Sequence, residues 1–71
     1  MIEIGKRGRI IAGDDKIRFV LVQDDREESG GFLILKSTDE HFKEGYDDWV
    51  ESEKLDAYFK ESGWTIDWTG K

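Results

Sequence analysis

The sequence predicts an α+β fold: a small antiparallel sheet of about four strands with one helix packed on one face, in the order β-β-β-α-β. Three observations carry this. Two apolar runs, IRFVLVQ at 17–23 and FLILK at 32–36, have the length and the β-branched and aromatic content of strands. Leu55, Tyr58 and Phe59 recur at helical spacing, behind a serine and ahead of a glycine. The segment WTIDW at 64–68 alternates large apolar with polar residues, the pattern of a half-buried strand.

In chain order, Ile2, Glu3 and Ile4 alternate, and Arg9, Ile10 and Ile11 resume the pattern after Gly5 and Gly8. The first element is therefore one broken strand or a short hairpin. Residues 13–16 (GDDK) form a turn. In 17–23, Ile17, Phe19 and Leu21 share one wholly apolar face, while Arg18, Val20 and Val22 make the other face partly apolar. Residues 24–30 (DDREESG) read as a mobile polar loop. The nearly unbroken apolar run at 32–36 places that strand inside the sheet. Short links between these strands suit an antiparallel meander.

Ser52 is the expected helix N-cap, with Glu53 and Asp56 in or near the first turn, where carboxylates complement the helix dipole. Gly63 is the expected stop. Trp64, Ile66 and Trp68 are then expected to pack beneath Leu55 and Phe59.

At 71 residues the chain has room for a single domain, 1–71, and domains of this size bury only about 60% of their unfolded surface. Three tryptophans and 13% aromatic residues compensate, because each ring buries roughly 150–250 Å². With no cysteine there is no disulfide or thiolate metal site. No signal peptide or membrane span is read, and the expected location is cytoplasmic.

Charge is distributed unevenly. Residues 1–18 carry a net +2, while 39–56 hold eight acids and two lysines, a net −6 that equals the charge of the whole chain. Phe42, Tyr46 and Trp49 stand among these acids. A solvated acidic stretch has little use for such rings, so the segment is expected to pack on one side and present carboxylates on the other. Such a surface favours basic partners.

The candidate partner-binding residues are Glu44, Tyr46, Asp47, Asp48, Trp49, Glu51, Glu53 and Asp56. Aromatic rings anchor interfaces and acids steer a cationic partner. The expected function is that of a small acidic protein-binding domain, with an immunity or antitoxin-like inhibitor of a basic toxin or nuclease as its most concrete form. Trp49 has two readings, a core ring leading into the helix or an interface anchor, and the core reading is favoured. No cofactor is expected.

The alternative is a small single-stranded nucleic-acid-binding domain using Lys6, Arg7, Arg9, Lys16 and Arg18 in the basic region 6–18. A net charge of −6 and a pI near 4.6 weigh against it. Residues 4–11, IGKRGRII, resemble the I-G-x-x-G-x-x-I signature of the KH family, whose loop clamps a nucleic-acid backbone; Gly5, Lys6, Arg7 and Gly8 would form that loop. A KH loop joins two helices, whereas strand and turn patterns follow here, so a glycine-flanked basic turn is the preferred reading.

The pairs Asp14-Asp15, Asp24-Asp25, Glu27-Glu28 and Asp47-Asp48 lack the D-x-[DN]-x-[DN]-G spacing of a calcium loop. His41, with Asp39, Glu40 and Glu44 nearby, reads as a solvated surface residue; no nucleophile or pocket accompanies it, so no enzyme is expected. An exposed edge strand would also permit self-association.

Overall fold

The computed structural model describes residues 2–68. Five strands form one sheet: β1 (Arg7–Ala12), β2 (Phe19–Asp25), β3 (Gly31–Ser37), β4 (Gly45–Glu51) and β5 (Thr65–Asp67). Their order across the sheet is β4-β3-β2-β1-β5, and every neighbouring pair is antiparallel. A helical turn, α1 (Arg26–Ser29), joins β2 to β3, and a 3-10 turn (Ser52–Lys54) leads into the main helix α2 (Leu55–Ser62). The α+β class and the meander agree with the sequence reading. The strand count is corrected from about four to five.

The extra strand lies inside the acidic segment, read above as a connection. Residues 45–51 contain a glycine and three acids, so no hydrophobic alternation marks them. They are strand because β3 offers a complete partner ladder, from Gly31↔Glu51 to Ser37↔Gly45. Tertiary pairing overrides weak local preference here. The polar stretch at 24–30 also differs: most of it is β2 and α1 rather than free loop, and Gly30 closes the turn in the left-handed region.

One face of the sheet holds the core. Val20, Val22 and Ile34 are fully buried, joined by Ile10, Ile17, Phe32 and, from α2, Leu55. Tyr58, Phe59, Trp64, Ile66 and Trp68 pack against this cluster. The pairing of β2 follows the expected alternation, but the deepest face is Val20 and Val22; Phe19 and Leu21 point to the opposite face and are half-buried. Within β2 the wholly apolar face is thus not the core face, because the helix covers the other side, while Ile17, just ahead of the strand, is buried in the core. The segment after β3 folds back over the second face. Arg7 donates to the Glu40 carbonyl at 3.1 Å, and Phe42 borders the same hollow as Leu35 and Asp47.

The expected aromatic packing is present. Phe59 meets Trp64 at 5.8 Å and Trp68 at 6.1 Å between ring centroids. Helix entry differs from expectation: Ser52 opens the 3-10 turn, Glu51 stands at its N-cap, and no side chain caps either helical segment. Gly63 does end α2, with φ 73.

The turn after β1 is tied to the end of α2. Asp14 accepts backbone N–H bonds from Lys16 at 2.7 Å and Ile17 at 2.8 Å, and its other oxygen accepts the Trp64 indole N–H at 3.1 Å. Gly13, with φ +100, lies directly against the Gly63 carbonyl, where a Cβ would overlap it. Gly30 also has positive φ but open space around it. Gly13→Ala is therefore expected to destabilise by more than Gly30→Ala, which carries only the left-handed cost of about 1–2 kcal/mol. Urea denaturation of the two variants measures the difference, and equal losses would deny the close approach at Gly13.

Candidate protein-binding edge

β4 is an outer strand, hydrogen-bonded to β3 on one side only among the described residues. The pleat divides its side chains between the two faces. Tyr46, Asp48 and Val50 stand opposite Lys36, Ile34 and Phe32, on the helix-covered face. Asp47, Trp49 and Glu51 stand opposite Leu35, Leu33 and Gly31, on the second face. The acidic segment is therefore a strand rim with carboxylates on both sides.

The expected site residues are not equivalent. Tyr46 is 68% exposed and Trp49 47% exposed. The core role favoured for Trp49 is corrected: its ring lies on the second face above Gly31, whose missing side chain makes room for it, and its indole N–H donates to Ser29 Oγ at 2.7 Å. Asp47 and Glu51 are exposed.

Asp48 is engaged within the protein, taking the Lys36 ammonium at 2.6 Å and the Tyr58 hydroxyl at 2.8 Å on one oxygen. The expectation that all these carboxylates point free to solvent is corrected at this position. Lys36 lies on the rim of the core face, only 17% exposed, and needs a counter-charge there.

Glu44 is exposed, and its carbonyl accepts the hydroxyl of the buried Ser37, which fixes the entry to β4. Glu53 and Asp56 are exposed on the 3-10 turn and α2. A cleft of about 330 Å³ lies between β4 and α2, bordered by Trp49, Val50, Ala57 and Tyr58 and by the charged Glu51, Lys54 and Glu61. Sequence reasoning missed Lys54, Ala57 and Glu61 as neighbours of the strand. Their i, i+3, i+7 spacing, read together with a strand at 45–51, would have found them.

The basic region does not form one free patch. Gly5 and Lys6 lie in a turn and Arg7 begins β1, so the KH-like stretch runs from turn into strand and joins no helices. Arg7 also stacks over Phe19 at 5.8 Å, Arg9 lies 3.9 Å from Asp67, and Lys6 lies 3.8 Å from Glu3. His41 is exposed and 3.5 Å from Glu40, and no group of three or more metal-ligating side chains occurs among the described residues.

Neither comparison with protein families, nor with curated proteins, nor with solved structures finds a match to this chain.

The Lys36 hydrogen bond, then the Tyr58 hydroxyl, hold the Asp48 carboxyl below its ordinary value. The native state thus binds the Asp48 proton less tightly than the unfolded chain does. The stabilisation is complete above the unfolded carboxylate pKa of about 3.9 and is lost as pH falls through the lowered native value. Asp48→Asn is expected to flatten this acid limb in urea titrations run at successive pH values. Tyr58→Phe is expected to cost about 1 kcal/mol at neutral pH. An unchanged acid limb in Asp48→Asn would show that the contact stores no pH-dependent stability.

Proposed function

We propose that this protein is a small acidic protein-binding domain that receives a basic partner along β4, and that inhibition of a cationic toxin or nuclease, in the manner of an immunity protein, is its most concrete role. The supporting observation is the composition of that one edge. Two exposed rings, Tyr46 and Trp49, sit on opposite faces of a strand whose Asp47 and Glu51 carboxylates have no cation beside them in any described contact. Rings of this kind supply contact area at low entropic cost, and unneutralised carboxylates raise the encounter rate with a positive surface. Glu44, Glu53 and Asp56 continue the negative field at the two ends of β4. Asp48 serves this reading as a brace that holds Lys36 and Tyr58, with its charge already spent.

The nucleic-acid reading has less support, since Arg7, Arg9 and Lys6 each lie against a partner within the protein. The other two cations of that region, Lys16 and Arg18, have no such partner in the described contacts.

Charge reversal tests the proposal. Asp47→Lys combined with Glu51→Lys is expected to abolish retention of a basic protein by the immobilised domain from native lysate, and Trp49→Ala to weaken binding of the purified pair at least tenfold. Isothermal titration at two salt concentrations gives the magnitude, with binding falling as salt rises. Binding unmoved by both changes, or amide shifts at residues 6–18 on adding single-stranded RNA at low salt, would overturn the assignment.

A further inference from the structure

The backbone of β4 defines a second property of this edge. In an antiparallel ladder, successive residues alternate between bonding across to the neighbour and pointing away from it. The Ser52 N–H bonds to the Gly30 carbonyl, one step beyond the Gly31↔Glu51 pair, and this fixes the phase. Tyr46, Asp48 and Val50 therefore bond to β3. The N–H and C=O groups of Gly45, Asp47 and Trp49 point to the outer edge, and no hydrogen bond from a described residue reaches them.

We infer that β4 accepts an extended basic segment of a partner as a sixth strand of the sheet. This rests on the proposed acidic binding edge and names the form its partner takes there. An incoming strand would satisfy the outward groups of Gly45, Asp47 and Trp49 by main-chain hydrogen bonds, and its side chains would alternate between the two faces. Those on the second face meet Asp47, Trp49 and Glu51, which suit lysine or arginine. Those on the helix side enter the cleft beside Val50, Ala57 and Tyr58, which suits apolar groups. The edge thus selects a segment alternating cationic with apolar residues.

Charge also decides against the other occupant of an open edge, a second copy of this chain. Two β4 strands laid side by side would bring Asp47, Asp48 and Glu51 of one against the same acids of the other, on molecules that each carry −6. Acidic side chains along a free edge disfavour self-pairing, and here they leave the edge open to the opposite charge.

Two seven-residue peptides of equal charge and equal side chains test this: one alternating lysine with valine, and the same peptide N-methylated at every backbone nitrogen, which removes its main-chain donors whichever way it runs. Titrated into the full chain and followed by amide NMR, the first is expected to protect the Gly45, Asp47 and Trp49 amides from exchange. It should bind at least tenfold more tightly than the N-methylated peptide. Equal binding of both peptides, weakened by salt and by Asp47→Lys, would overturn strand addition and leave the acidic-surface reading standing. No binding of either peptide overturns strand addition, while the acidic-surface reading is then judged by the retention experiment with a folded basic protein. Concentration-dependent dimerisation that protects the same three amides without peptide would overturn it in favour of self-pairing.

Discussion

The chain leaves β4 at one edge of the sheet and must pair its last strand with β1 at the other, running parallel to the strand it has left. Four strand spacings separate those edges, about 19 Å. The 3-10 turn of three residues and the helix of eight supply roughly 6 Å and 12 Å of rise, nearly the same length. This crossover sets which face is core. Leu55, Tyr58 and Phe59 are laid over Val20, Val22 and Ile34, and the helix is delivered to the Gly13 turn, where Asp14 and Trp64 hold its end. It also leaves β4 uncovered along its outer side.

The parts of this fold that are legible in the sequence have strong periodicity. The runs at 17–23 and 32–36, the Leu55, Tyr58, Phe59 stripe, Gly63 and the alternation at 64–68 each name their element because apolar spacing and burial agree. β4 was not legible, because its side chains are mostly exposed and its identity comes from β3. The core face of β2 was ambiguous for a related reason. One face of IRFVLVQ is wholly and the other partly apolar, and the position of the helix, a long-range property, decides between them. The exposure of Trp49 follows from Gly31 and Ser29, residues eighteen and twenty positions upstream whose relation to the ring no local pattern reveals.

The acidic segment shows how a strand sorts charge. A run of carboxylates that looks uniform along the chain is split by the pleat into one brace and two outward groups. Asp48 compensates a lysine at the rim of the core, and Asp47 and Glu51 face outward four residues apart on the same side. Elsewhere, acids are drawn into local structure: Arg26 forms a two-point contact with Asp24 and holds its carboxyl down to about 2, and Asp14 organises a turn through backbone N–H groups. Net charge alone therefore overstates the negative surface that an approaching molecule meets.

The seating of Trp49 over Gly31 has a practical side. Of the three indoles, Trp64 and Trp68 lie against Phe59 in the aromatic cluster, while Trp49 stands half in water at the rim of the sheet. The protein thus carries two kinds of fluorophore: a half-buried pair emitting at shorter wavelength, and a more solvated one at longer wavelength, whose acidic surroundings admit the cationic quencher caesium. Quenching reports chiefly on the rim, so unfolding and occupancy of the edge can be followed in one spectrum without a label.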